Sequence, residues 1–280
     1  MNTIPALKTL GYYPISTKAD KVILDATLKT LKMFGQSSYA ELLDKLRTIT
    51  GMSETELIKN FHLFEEALKK STGQVSAKVM LDMIKEDLIR HTDLSTVNYK
   101  IDEIVEKVEE SGVYDFIRTV SSYEHILVLY KNKDVIDRVL GNFFGKIALA
   151  PRGLVSTLPT TIKDIRNITY AKLTEKGMVG IMKKLGEWVE DILLANVSSV
   201  PAKIADEDCT WYIRNGLGNE HLKLEASLGI TPDRKVTLLC AYDISKIPPD
   251  QLESIIKTHG YVLVENSTMT LYASPSKNLA

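Results

Sequence analysis

Val236-Thr237-Leu238-Leu239-Cys240-Ala241-Tyr242 is the most strand-like run in the chain, and Asp243 ends it. A continuous apolar run of this length is the form of a strand buried on both faces of a parallel sheet. His125-Ile126-Leu127-Val128-Leu129-Tyr130 has the same form, and Tyr261-Val262-Leu263-Val264 repeats it near the C-terminus. Leu154-Val155-Ser156-Thr157-Leu158 reads as a further strand, stopped by Pro159. Helical patterns alternate with these runs: Lys133 to Phe144, Val179 to Leu194 and His221 to Ser227. Pro248-Pro249-Asp250 starts another that runs to Lys257, with proline at the first turn and an acid on the positive end. Strand and helix in alternation predict an α/β sandwich with a largely parallel sheet.

The first third follows another rule. From Lys21 to His91 the apolar positions recur at helical spacing, with Val22, Leu24, Leu28 and Leu31 near one face. Gly35, Gly51 and Gly73 punctuate the pattern, and Ser38 with Glu41, then Ser53 with Glu56, have capping-box spacing. An all-α bundle of short helices is expected. Between the two regions, residues 99–124 hold three basic and seven acidic residues, a balance of -4. Ile101, Ile104, Val105 and Val108 form its apolar stripe, read as a solvated connecting helix or, more sharply, as a dimerising one. The expected division is a helical domain at 1–95, an acidic connecting helix at 96–124, an α/β domain at 125–268 and a frayed tail at 269–280.

Composition narrows the function classes. The 280 residues carry 35 basic and 36 acidic side chains, so the net charge of -1 gives no support for nucleic-acid binding. No apolar run approaches the ~18–20 residues of a membrane helix, and the N-terminus lacks a signal-peptide layout, so a cytoplasmic protein is expected. Two cysteines, Cys209 and Cys240, are too few for a disulfide scaffold.

Catalytic patterns are missing. Lys131-Asn132-Lys133-Asp134-Val135 follows the His125–Tyr130 strand, where a phosphate loop would be expected, and no Gly-x-x-x-x-Gly-Lys-Ser/Thr or Gly-x-Gly-x-x-Gly occurs. The five histidines have no metal-ligand spacing and there is no Cys-x-x-Cys, so no metal and no cofactor is assigned. Asp206-Glu207-Asp208 reads as a solvated run. Cys240 reads as a small buried hydrophobe, with His259 placed where it could converge on it. In open parallel sheets ligands sit beyond the carboxyl ends of the strands. Tyr130, Thr157 and Asp243 end their strands and are expected to line one rim, although Asp243 equally suits a turn bonded to the Ser245 backbone. With Tyr242 and His259 they make up the candidate ligand-binding residues.

The Val236–Asp243 strand, the proline-started helix and Thr258-His259-Gly260-Tyr261-Val262-Leu263 resemble the closing portion of the methanogen/methylotroph sensory (MEDS) domain. Ile126–Tyr130 and the helix after it are similar to its opening, so the resemblance covers about 125–265. It implies a degenerate RecA-like core without a phosphate loop, acting as a ligand-responsive sensory module with no established catalytic residues. Residues 22–90 are similar to a helical output domain of signalling proteins in ammonia-oxidising archaea, through LKMFGQSSYAELL (31–43), Met52–Phe61 and Phe64–Leu68. Together they imply a non-enzymatic archaeal sensor of a small molecule or protein partner, with a homodimer as a further expected association. A noncanonical nucleotide-binding enzyme and a docking scaffold are the alternatives.

Overall fold

A computed structural model of the chain describes residues 3–15, 17–90, 99–120, 124–145, 154–157, 166–168, 180, 183–184, 187, 202–227, 236–266 and 269–279. The chain divides into two compact units, Ser16–Val113 and Met1–Ile15 with Tyr114–Ala280.

The first unit is helical: α2 (Lys18–Lys32), α3 (Gln36–Thr50), α4 (Glu54–Lys59), α5 (Phe61–Thr72), α6 (Gln74–Arg90) and the first part of α7 (Ile101–Thr119). The expected box at Ser53 is present. Glu56 N–H donates to Ser53 Oγ at 3.4 Å, and Ser53 N–H donates to the Glu56 carboxylate at 2.9 Å. The expected cap at Ser38 is not. Gly35, at φ 94°, turns the chain so that α3 starts at Gln36 and Ser38 falls inside its first turn. Leu31, Leu46, Phe64, Leu68, Ile84 and Leu88 form the core together with Ile104, Val105 and Val108. The apolar stripe of α7 is therefore buried within its own unit, which corrects the reading of 96–124 as a solvated connector. Burial of those three side chains stabilises the unit by about 1.5–3 kcal/mol each.

The second unit is α/β, as the alternation predicts. Its elements are α1 (Thr3–Thr9), β1 (Tyr13–Pro14), β2 (His125–Tyr130), α8 (Lys133–Phe144), β3 (Leu154–Thr157), β4 (Arg166–Ile168) and β5 (Ala202–Asp206). They continue with α9 (Thr210–Arg214), α10 (Gly218–Ser227), β6 (Val236–Asp243), α11 (Pro249–Lys257), β7 (Tyr261–Glu265) and β8 (Met269–Ala273). The sheet order is β1-β8-β7-β2-β6-β5-β3-β4. The central four strands are parallel, and both flanks are antiparallel. Mid-strand residues of β2 and β6 are buried on both faces, as their unbroken apolar runs require.

Two expectations fail here. Residues 1–15 belong to the α/β unit and not to the helical one, because Leu7 and Tyr12 enter its core and β1 pairs with β8. The expected tail at 269–280 contains β8, whose alternating MTLYA pairs antiparallel with β7. The sheet expected to be largely parallel is so through its central four strands, and it is mixed because both flanks, including β3 against β5, run antiparallel. Most of the helix expected over Val179–Leu194 lies outside the described residues; Gly180, Lys183, Lys184 and Glu187 are helical.

Tyr12 ties the N-terminal segment down: its buried hydroxyl lies 2.7 Å from the Ile256 carbonyl and 2.6 Å from that of His259. Replacing Tyr12 with Phe is expected to cost about 1–2 kcal/mol in the unfolding of the α/β unit and to leave the helical unit unaffected. Denaturant unfolding followed by unit-specific hydrogen exchange measures this, and equal stability would contradict the anchoring role.

Candidate functional site

Strand alternation puts residues i and i+2 on one face, and helix geometry puts i and i+4 on one face. On β6 this aligns Cys240 with Tyr242; on α10 it aligns His221 with Glu225. The parallel registers His125↔Leu238 and Asp206↔Cys240 then bring β2 and β5 side chains to the same region. His259 follows α11 directly, and Cys209 precedes α9, held by its N–H to the Ala241 carbonyl at 2.8 Å. Three of the five histidines, both cysteines and two carboxylates converge in the interior of the α/β unit, all buried.

The donor atoms of His125, Glu225, Cys240 and His259 lie within 4.8 Å of one another, as do those of Asp206, Cys209 and His221. His125 Nε2 is 3.3 Å from Cys240 Sγ. His259 Nε2 and His221 Nδ1 are 3.9 and 3.6 Å from Glu225 Oε1, which accepts the Tyr242 hydroxyl at 3.0 Å. The ring of His221 stacks on Tyr212 with centroids 3.9 Å apart.

Backbone carbonyls decide the tautomers. His125 Nδ1 is 3.1 Å from the Thr258 carbonyl, and His259 Nδ1 is 2.7 Å from that of Ile255. A carbonyl oxygen only accepts, so each Nδ1 carries the hydrogen and each Nε2 presents a lone pair to the cluster. His259 Nε2 and Glu225 Oε2 have no hydrogen-bond partner among the described residues. A buried polar atom left so costs about 1–3 kcal/mol.

Burial sets the protonation states. It pushes His125 down to about 4 and His221 to about 3, the latter helped by His125, and holds His259 well below its ordinary value. Burial raises the Glu225 carboxyl to about 8, so at neutral pH it is mostly protonated. At Cys240 the contact with Cys209 lowers the thiol, but burial and the Glu225 and Asp206 carboxylates outweigh it, leaving about 12. His125, His221, His259, Glu225 and Cys240 are thus held in their neutral forms, a set of nitrogen, sulfur and oxygen donors able to take a cation or a small polar ligand.

Of the residues expected to bind ligand, Tyr242 and His259 are in this cluster. Tyr130 and Asp243 are paired across the ends of β2 and β6, as expected for a rim. Asp243, however, accepts the Ser245 N–H at 3.1 Å and its hydroxyl at 2.6 Å and pairs with Lys246, which is the turn role. Thr157 is not on that rim. Because β3 is antiparallel to β5, its C-terminal residue pairs with Lys203 near the N-terminal end of β5, opposite the carboxyl ends of the parallel strands. The run Asp206-Glu207-Asp208 is buried rather than solvated, with Asp208 bonded to Arg214 at 2.6 Å. Sequence reasoning missed His125, His221, Glu225 and Asp206. The i, i+4 pair His221 and Glu225 on a helix was the one local signal; the remaining convergence depends on register.

Linkage gives a pH dependence. The lowered histidines contribute stability that is present above about 6.5 and lost as pH falls through their folded values; raised Glu225 contributes stability that is lost as pH rises toward about 8. Stability of the metal-free α/β unit should therefore peak near pH 6.5 and decline on both sides. Glu225→Gln should flatten the alkaline decline and steepen the acid one, because the Glu225 contribution falls from about pH 4.5 to 8 and opposes that of the histidines below 6.5; an unchanged alkaline limb in that variant would contradict the assignment. No protein-family model, curated protein or solved structure matches the chain.

Proposed function

We propose that this is a non-catalytic, cytoplasmic sensory protein of the archaeal signalling type, in which the α/β unit receives a small ligand and the helical unit delivers the output. On this reading the α/β unit is a degenerate RecA-like sheet of the MEDS kind. The observation that carries the proposal is the sealed donor cluster. A set of buried ligand-type side chains, in which His259 Nε2 and Glu225 Oε2 lack hydrogen-bond partners among the described residues, suits a captured ligand better than the turnover of a diffusing organic substrate. Such a ligand shifts the protein only through different affinity for two states. α7 is the natural carrier, since the chain passes from one unit to the other within it, between Val113 and Tyr114.

The nucleotide-enzyme alternative draws less support. At the β2–α8 turn, where a phosphate would sit, the N–H groups of Lys131 and Asn132 donate to the Glu265 carboxylate at 2.5 and 2.8 Å. A fixed internal anion occupies those donors.

Hydrogen exchange of the full chain, with Mg-ATP, small metabolites and divalent metal ions added in turn, tests the proposal. The expected result is protection of β6 and α10 by one ligand, together with altered exchange within residues 16–113. Protection at residues 130–135 by Mg-ATP would favour the enzyme reading. A ligand response that never reaches the helical unit would contradict signalling.

A further inference from the structure

We infer that the α/β unit holds one divalent transition-metal ion, of the zinc type, between His125 Nε2, His259 Nε2, Cys240 Sγ and the Glu225 carboxylate. This rests on the reading of the buried cluster as the sensory input, and it names the ligand.

The geometry is close to what such an ion needs. Bonds of about 2.0–2.3 Å in a tetrahedron separate the donors by roughly 3.3–3.8 Å. The observed separations include 3.3 Å for His125 Nε2 to Cys240 Sγ and 3.9 Å for His259 Nε2 to Glu225 Oε1, with all four groups inside 4.8 Å. The 3.9 Å pair needs almost no movement, and a pair at the 4.8 Å limit would close by about 1 Å through side-chain rotation to complete the shell.

The surroundings are those of a ligated site. Each of the two histidines is fixed by an Nδ1–H to a main-chain carbonyl, the outer contact that orients a metal-binding imidazole and aims Nε2 at the ion. Tyr242 donates to Glu225 Oε1, orienting that carboxylate in the same way. His259 Nε2 and Glu225 Oε2, on two of the proposed ligands, have no hydrogen-bond partner among the described residues. A metal bond would satisfy them where no protein group does.

Charge selects the valence. Two neutral imidazoles, one thiolate and one carboxylate sum to -2, so a divalent ion makes a neutral assembly, the form least penalised by burial. The exchange balances as the cation plus Glu–COOH plus Cys–SH giving the metal carboxylate-thiolate and two protons. Imidazole and thiolate donors favour zinc-like ions over magnesium or calcium, which seek oxygen ligands in larger number. Since every donor is buried, the ion enters during folding or through local opening, and its removal by chelator is slow.

Cobalt(II) reports the coordination directly. The full chain, stripped of metal by unfolding in chelator and refolded, is titrated with Co²⁺. The expected result is one equivalent bound, with intense visible bands of tetrahedral cobalt and a near-ultraviolet thiolate-to-cobalt band, both abolished by Zn²⁺. Cys240→Ser should lose the thiolate band, while Cys209→Ser should retain it. The near-isosteric Glu225→Gln, which keeps the Tyr242 contact, should weaken binding at least tenfold and serves if Cys240→Ser does not fold. Absence of the thiolate band in folded wild-type protein, or its persistence in Cys240→Ser, overturns the inference. Cobalt binding without any change in exchange within 16–113 leaves the metal site standing and removes the sensory reading. A metabolite response without cobalt binding does the reverse.

Discussion

Parallel pairing of β2 with β6 is the constraint on which the α/β unit turns. It aligns His125 with Leu238 and Leu127 with Cys240, so that the imidazole at the start of one strand reaches the thiol in the middle of its neighbour. β7 pairs with the other edge of β2, beginning Ile126↔Tyr261. That register draws the preceding Thr258-His259-Gly260 corner against His125, whose ring centroid is 3.9 Å from that of His259. Slipping β2 against β6 by one residue would turn His125 and Cys240 to opposite faces of the sheet.

Such a cluster is expensive unless something uses it. Apolar replacements of similar shape would pack the same space without leaving polar atoms unpaired, and buried polar sets are often neutral or worse for stability. Here the imidazoles are held neutral and Glu225 is held protonated by burial, so these groups stay uncharged while offering nitrogen and oxygen donors beside the Cys240 thiol. Main-chain carbonyls of Ile255 and Thr258 then choose the tautomer, which means that the C-terminal turn of α11 and the residue that follows it determine what the cluster can bind. Tyr12, bonded to carbonyls of Ile256 and His259, fastens the same corner from the N-terminal side.

The fold was legible where one element's own residues decide it. Unbroken apolar runs mark β2, β6 and β7; Pro249 marks the start of α11; Ser53 and Glu56 mark that of α4. Partner and direction were not legible. Nothing local to Leu154–Thr157 says that it runs against β5, so the sequence alone places Thr157 at the wrong end of the strands. The apolar stripe of α7 reads the same whether it faces water, a second chain or the helical core it in fact enters. The candidate site divides likewise. Tyr242 and His259 lie near recognisable strand ends, whereas His125 and Cys240 stand 115 positions apart and meet only through the register.

Whether the cluster can bind a cation depends on the proton positions of two rings, and these can be observed directly. Long-range ¹H–¹⁵N correlation spectra of the metal-free protein at pH 7 distinguish the neutral tautomers and the imidazolium of each histidine. His125 and His259 should both appear as neutral Nδ1–H rings with bare Nε2, and should remain neutral well below pH 6. Either ring found as the Nε2–H tautomer, or protonating near pH 6.5, would mean that no pair of nitrogen lone pairs faces Glu225 and Cys240, and the centre described here would not exist.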